Sequence, residues 1–254
     1  MNRGRVTETA GTLALGAWMA FAVLAAVVVS DQGGPLYLDH GLLSWSVGHR
    51  PPEAVALARG LTATGTGVVP YALVVVAGLI AGRTWRRRLV AGPLAALCLG
   101  AGQAVRYGVM ELVARPRPPG HDWRTQASGW SFPSGHATTA ALTAGLLIAA
   151  LCLRAPRGRT VLCLLVACWG AGVGLTRVFL GVHWFSDVAG GWLFAAGWLG
   201  ICVGAAARWL PECDVPRVPH APEPGTPHPS ETADGPVERD APQDPHRRGR
   251  SRPS

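Results

Sequence analysis

The sequence has 254 residues, of which 49% are hydrophobic and only 15% charged, with a formal net charge of +8. This composition favours a membrane protein over a soluble one. Its 23 basic residues are all arginine and the pI is near 9.9, yet the arginines stand between apolar runs and form no separate basic domain. We therefore expect no nucleic-acid partner.

Six apolar stretches approach the roughly 20 residues that a membrane-crossing helix needs. Glycine and alanine are frequent in all of them, as suits closely packed membrane helices. Residues 1–209 are therefore predicted to form an all-α, six-span transmembrane helix bundle, with the first span retained rather than cleaved as a signal peptide. The predicted spans are 11–30, 66–82, 89–113, 136–153, 160–177 and 187–209.

Arginines mark one side of this predicted bundle. They precede the first span at Arg3 and Arg5, cluster at 83–88 and 154–159, and close the last span at Arg208. By the positive-inside rule these regions are cytoplasmic, so we expect a multi-pass protein of the inner (plasma) membrane with both termini in the cytoplasm. The outward connections are then 31–65, 114–135 and 178–186.

Two regions lie outside the predicted spans. The 31–65 connection is long and partly apolar, which favours short interfacial helices or a plain structural cap over the bundle. Residues 210–254 are rich in proline and mixed charge, so we predict a disordered cytoplasmic tail.

Three polar segments at the outer side carry the candidate chemistry. In the third of them, Thr176-Arg177 is followed by His183 and Asp187. Two residues four apart share a face of a helix, and a carboxylate bound to one ring nitrogen leaves the other free to attack. Such a pair is common by chance, and an arginine near the membrane face also serves as a topology anchor.

The second segment, Phe132-Pro133-Ser134-Gly135-His136, opens a predicted span. A helix N-terminus with a glycine presents unpaired N–H groups to a phosphate. Ser134 would donate to a phosphate oxygen and His136 would protonate a leaving alkoxide. The alternative is that Ser134 only caps the helix and His136 is only interfacial.

The first segment, Arg115-Pro116-Arg117-Pro118, is a stiff loop with two cations. Planar guanidinium groups suit a dianionic phosphate. Alone, the segment is equally consistent with a basic loop against lipid headgroups.

Together the segments resemble the signature of the type 2 phosphatidic acid phosphatase (lipid phosphate phosphatase) superfamily, in its bacterial membrane-embedded branch: K-x6-R-P, P-S-G-H and S-R-x5-H-x3-D. The resemblance implies hydrolysis of a lipid phosphate or diphosphate through a phosphohistidine, without metal or cofactor. It implies His183 as nucleophile, Asp187 as its partner and His136 as general acid. The implied phosphate-binding residues are Arg117, Ser134, Gly135 and Arg177.

The chain departs from this signature at Met110, where the family has lysine, and has Thr176 for the first serine of the third part. Arg106 lies one helical turn earlier, and Arg106 or Arg115 would supply the missing cation. The alternative is that Arg106 pairs with a neighbouring helix. On the sequence alone, Met110→Lys is expected to raise activity.

Other functions remain open from the sequence. A lipid-phosphate binding or transport protein with weakened or lost catalysis is the main alternative, and Met110 is its support. A metal site of His136, His183 and Asp187 and a vanadate-dependent peroxidase are weaker ones. Substrate candidates are polyprenyl diphosphates such as undecaprenyl diphosphate, phosphatidic acid and phosphatidylglycerol phosphate, with family analogy favouring the first. The sequence does not indicate an oligomeric state.

Overall fold

The computed structural model describes residues 3–209, and within that range the protein is all-α, as predicted. One short 3-10 turn, Gly120–Asp122, lies between the fifth and sixth helices. The predicted tail and its boundary lie outside the described residues. The helices are α1 (Arg3–Ser30), α2 (Tyr37–Gly48), α3 (Pro52–Ala63), α4 (Val68–Ala81), α5 (Trp85–Val113), α6 (Gly135–Arg154), α7 (Arg159–Phe179) and α8 (Phe185–Trp209).

Five of these helices are long and apolar enough to cross a membrane, and a sixth span requires α3 and α4 to be taken together. The predicted span 66–82 corresponds to α4, but this helix has only 14 residues and is too short to cross the membrane by itself. At 1.5 Å per residue it extends about 21 Å, short of the roughly 30 Å hydrocarbon core. It joins α3 at a bend of 53°, where Gly67 adopts a positive φ of 68°.

The predicted 31–65 connection does contain two short helices, α2 and α3. They lie at the same end of the bundle as the start of α6, since Arg50 after α2 donates to the Asp122 carbonyl and Arg59 of α3 donates to the Arg124 carbonyl. The outer connections are thereby fastened to one another.

The long helices pack mainly in pairs: α1 against α8, α6 against α7, and α4 against α5 and α6. An aromatic cluster of Trp18, Phe21, Phe132 and Phe194 joins α1 and α8 to the loop before α6. Large apolar side chains such as Leu13 and Leu164 point away from the bundle, as expected of helices surrounded by lipid.

Antiparallel helices place alternate connections at opposite ends. The α4–α5 and α6–α7 connections, which carry most of the clustered arginines, lie at one end. The other end gathers the end of α5, the start of α6, the end of α7 and the start of α8. At α5 the helix stops because Ala114 is left-handed and Pro116 follows, which leaves the first polar segment as a loop over this end.

Candidate active site

The three polar segments meet at this end of the bundle. The backbone N–H of Ser134 in the second segment donates to the carbonyl of Asp187 in the third at 3.0 Å. Arg117 of the first segment places Nη1 2.9 Å from Nε2 of His183. Residues more than 50 positions apart in the chain are thus in direct contact.

Two consecutive glycines of α8 allow this approach. A Cβ on Gly190 would lie 2.5 Å from the ring of Phe132, and one on Gly191 would lie 3.0 Å from the carbonyl oxygen of Ser134. A side chain at Gly190 would require the Phe132 ring to move, and one at Gly191 would require its neighbours to shift by a few tenths of an ångström. The loop before α6 therefore rests directly on the backbone of α8.

His183 is buried, and its two ring nitrogens have different partners. Nδ1 lies 3.2 Å from Oδ2 of Asp187, and Nε2 faces the Arg117 guanidinium. Because a guanidinium only donates, Nε2 must be the accepting nitrogen and Nδ1 must carry the proton. This tautomer leaves a lone pair on Nε2.

Burial lowers the pKa of His183 to about 4, even though its hydrogen bond to Asp187 acts in the opposite direction. Nearby Arg117 and Arg177 lower the pKa further, since a second positive charge is disfavoured beside them. The ring is therefore neutral, with its lone pair available, at physiological pH.

Asp187 is fully buried in the first turn of α8, where a helix N-terminus favours negative charge. Oδ2 accepts from the Trp184 N–H at 2.9 Å and from the hydroxyl of Ser131, in addition to His183. Oδ1 accepts from Nη1 of Arg115 at 2.7 Å. Both oxygens are held in place, which fixes the carboxylate against the imidazole.

Arg117 is a fixed side chain. Its Nε and Nη2 donate to three carbonyl oxygens of residues 128–130, and Nη1 donates to the Val182 carbonyl and to His183. All five N–H groups are engaged. The one facing His183 is the donor that a phosphoryl group at Nε2 would meet.

Ser134 and Arg177 have polar atoms that the protein leaves unpaired. Ser134 occupies the N-cap position of α6 but makes no side-chain cap bond, so the interpretation of Ser134 as a simple cap is wrong. Its hydroxyl and Nε of Arg177 are buried and have no hydrogen-bond partner among residues 3–209. Arg177 is held by a 3.2 Å contact from Nη1 to the Thr62 hydroxyl. Such groups are costly unless something pairs with them.

His136 lies in the first turn of α6, half-buried, beside these groups. Arg106, Arg117, Arg177 and His183 all lie within electrostatic range of its ring. The structure thus brings both predicted histidines and three of the predicted arginines into one cluster.

Arg106 approaches the start of α6 from α5. Its Cζ and Nη1 would each lie 3.5 Å from a Cβ on Gly135. Nε donates to Gln103 at 3.0 Å, and Nη1 meets the sulfur of Met110, a weak acceptor, at 3.4 Å. A cation therefore stands beside the α6 N-terminus, with no ion pair to an acid among the described residues.

Arg115 lies elsewhere than expected. Its side chain is fully buried and all five N–H groups are used within the protein, so it has no donor free for a phosphate. Arg115 instead links the start of α2 to the start of α8 inside the protein. Its partners are the carbonyls of Gly33 and Gly34, the hydroxyl of Ser186, and the carboxylates of Asp39 and Asp187.

Four residues around the site were not identified from the sequence: Asp39, Thr62, Ser131 and Ser186. Ser131 stands two residues before the second segment, and Asp39 is an acid in an acid-poor part of the chain. Those were the available signals in the sequence, and neither indicates which residue Asp39 or Ser131 would contact.

Among the described residues, no group of three or more His, Cys, Asp and Glu side chains is arranged to hold a metal, so the alternative of His136, His183 and Asp187 as metal ligands has no geometric support.

The site can now be set beside known proteins. Phosphatidylglycerophosphatase B of Bacillus subtilis (strain 168) is 27% identical over 179 residues, 68% of this chain and 85% of the relative. Phosphatidylglycerophosphatase B of Escherichia coli (strain K12) is 35% identical over 88 residues, 35% of this chain and 31% of the relative. Lipid A 1-phosphatase of Rhizobium etli is 44% identical over 71 residues, 28% and 27% of the two chains.

The fold also has a solved counterpart. The crystal structure of a transmembrane PAP2 type phosphatidylglycerolphosphate phosphatase from Bacillus subtilis matches with a TM-score of 0.63 at 24% identity, covering 78% of this chain and 98% of that one. The family model of the PAP2 superfamily matches residues 15–210, which include the three polar segments. These matches confirm the family resemblance and the transmembrane fold, and the chain belongs to the PAP2 superfamily.

Proposed function

We propose that the protein is a membrane phosphatase that hydrolyses a lipid phosphate or diphosphate through a phosphohistidine, without a metal. The observation that carries this proposal is the His183 ring, held by Asp187 at Nδ1 and facing Arg117 with Nε2. A buried neutral imidazole with a fixed tautomer is what nucleophilic catalysis requires.

The reaction has two steps. Nε2 of His183 attacks phosphorus, the P–O ester bond breaks, and His136 gives its proton to the leaving oxygen. Water then attacks the phosphohistidine, His136 takes a proton from it, and the P–N bond breaks to release phosphate. Asp187 stabilises the positive charge that the ring acquires on phosphorylation.

The remaining groups would hold the phosphoryl oxygens. Ser134 and Arg177 contribute their unpaired donors, Gly135 lets the ligand approach the α6 N-terminus, and Arg106 adds a cation beside it. Arg117 would bind through the N–H that faces His183. Arg115 is reassigned to supporting Asp187.

The site lies at one end of the bundle and the arginine-rich connections at the other. By the positive-inside rule we propose an extracytoplasmic site and cytoplasmic termini in the inner (plasma) membrane. The substrate is then an amphiphile with a phosphate at headgroup depth. The relatives' names make phosphatidylglycerol phosphate the first substrate to test, ahead of phosphatidic acid and polyprenyl diphosphate.

The proposal is tested by phosphate release in detergent from these three lipids. We expect turnover of at least one of them, undiminished by a chelator. Saturable binding of a lipid phosphate with no release of phosphate would instead identify the alternative, a binding or transport protein, which the Met110 departure favours.

The contact between Arg106 and Met110 predicts how substitutions at these two positions affect activity. Arg106→Gln should lower kcat/KM by about one to two decades, the loss of one charged contact. Met110→Lys alone should also lower it, because it buries an ammonium group against the Arg106 guanidinium; this reverses the expectation from sequence.

The double variant Arg106→Gln/Met110→Lys, which moves the cation one turn along α5, should recover part of the loss. The control is Arg154→Gln, an exposed arginine at the other end of α6. Higher activity in Met110→Lys alone would show that Arg106 does not serve the phosphate.

The pH dependence follows from the pKa of His183. Only the neutral ring attacks, so activity falls as the pH drops through the folded-state pKa of about 4. We expect no loss from this group between about pH 5 and 8. The measurement is kcat/KM as a function of pH, corrected for ionisation of the substrate phosphate at about pH 6. Activity regained on return to about pH 7 is the control for unfolding at low pH. A corrected loss that sets in as the pH falls and is centred near about pH 6.5 would contradict the lowered pKa of His183.

A further inference from the structure

A second carboxylate lies behind the candidate active site. Asp39, in the first turn of α2, is fully buried. Oδ1 accepts from the Ser186 N–H at 2.7 Å, and Oδ2 accepts from the Ser186 hydroxyl at 2.6 Å, from Nη2 of Arg115 at 2.9 Å and from the Leu36 N–H at 3.0 Å. A carboxylate taken out of water needs such a set of donors.

Arg115 connects this carboxylate to the one that orients the nucleophile. Its Nη2 binds Asp39 and its Nη1 binds Oδ1 of Asp187 at 2.7 Å, with all three side chains fully buried. Ser186 lies between them, donating to Asp39 and accepting from Nη1 of Arg115 at 2.6 Å. We call Asp39, Arg115 and Asp187 the buried triad.

The charges of the buried triad have a consequence for the proposed chemistry. One cation lies between two carboxylates, so the triad carries a net negative charge. Without Asp39, the charge of Arg115 would be balanced by Asp187 alone, at the oxygen next to the one that binds His183. The negative charge that stabilises the phosphorylated ring would then be largely neutralised in a region of low dielectric.

We propose that Asp39 is a positioning residue for the reaction. It acts through Arg115 and Ser186 to hold Asp187 in place and to maintain its negative charge towards His183, and it makes no contact with the substrate. This inference rests on the proposed function, since it requires His183 to be the nucleophile.

The alternative is purely architectural. Asp39 also accepts from the Leu36 N–H at the start of α2, and this bond alone would make it a helix cap. An architectural role predicts fewer folded molecules with normal turnover in each. A positioning role predicts slower turnover in every folded molecule.

The first test is Asp39→Asn in the full-length protein, assayed in detergent with the lipid phosphate that is turned over. We expect kcat per folded molecule to fall by about tenfold to a hundredfold, typical of a lost supporting partner, with KM changed less than about twofold. The matched control is Asp31→Asn, an exposed carboxylate in the same connection, which should leave both constants unchanged.

The second test is a cycle with Arg115→Gln. If Asp39 acts partly through Arg115, Asp39→Asn should cause a smaller loss of kcat once Arg115 is replaced than it causes alone, the remainder acting through Ser186. Normal kcat in Asp39→Asn, or losses that multiply in the double variant, would overturn the inference.

Ser186→Ala covers the case in which Asp39→Asn does not fold. It removes one hydroxyl from between the two carboxylates and leaves every charge in place. We expect a severalfold fall in kcat at unchanged KM, and an unchanged kcat would overturn the inference. His183→Ala separates this inference from the proposed function: activity retained there refutes the function, whereas inactive His183→Ala with normal Asp39 and Ser186 variants refutes only the role of Asp39.

Discussion

Replacing His183 with alanine is expected to abolish phosphate release from every lipid phosphate that the protein hydrolyses. The side chain is the proposed attacking group, and its loss should lower kcat by about 10⁴-fold or more, as for other nucleophiles that work as part of a unit. The protein should remain folded, because within residues 3–209 the hydrogen bonds of the ring are limited to two, with Asp187 and Arg117.

The measurement is phosphate release normalised to folded protein, judged by size-exclusion profile and helical circular dichroism. His121→Ala is the matched control, because that imidazole is 80% exposed and lies 3.6 Å from the carboxylate of its neighbour Asp122. Trapping of acid-labile, protein-bound phosphate in the native protein but not in the variant would identify the intermediate. Native activity in His183→Ala would refute the nucleophile assignment.

Asp187→Asn should lower kcat by about 10⁴-fold through the wrong tautomer of His183. The amide cannot satisfy its neighbours in either orientation. Arg115 requires an acceptor at Oδ1, whereas the Trp184 N–H and the His183 ring require one at Oδ2. The amide offers one acceptor, so it will face a donor with its NH₂ group.

This variant should also be less stable, since it leaves Arg115 with one carboxylate instead of two. Disrupting a buried ion pair costs about 3–5 kcal/mol when one partner is left uncompensated, and Asp39 will offset part of that. Activity per folded molecule and thermal unfolding therefore need to be measured together. Asp122→Asn is the control for a carboxylate in the outer connections, and equal activity in both variants would contradict the role given to Asp187.

Much of the fold was predictable, because long apolar runs leave few alternatives to helices in a membrane. The exception, 66–82, shows what hydropathy misses. Apolar content continues from α3 into α4, but the chain bends at Gly67, and the resulting helix is too short to span alone. A bend depends on backbone angles and on what packs into it, and composition records neither.

The site was partly predictable for a similar reason. His183 and Asp187 are four residues apart, so they lie close in any compact conformation. The expected shared helix face is not what pairs them, because His183 lies in the turn before α8 and only Asp187 is on the helix. Asp39 and Arg115 are 76 residues apart, and only the tertiary fold, which brings the loop after α5 onto the start of α2, places them together. Arg115 and Arg117 look alike in sequence, yet one is enclosed by carboxylates and the other faces the nucleophile. Their difference arises from tertiary position.

Gly190 and Gly191 affect how mutational data on this protein should be interpreted. A side chain at Gly190 would push against the Phe132 ring, and one at Gly191 would crowd the carbonyl of Ser134. Neither glycine supplies a functional group, yet both allow the loop before α6 to rest against α8. In a genetic screen, a null phenotype at Gly190 or Gly191 would therefore indicate crowding, whereas one at Asp187, a turn earlier on the same face of α8, would indicate lost chemistry.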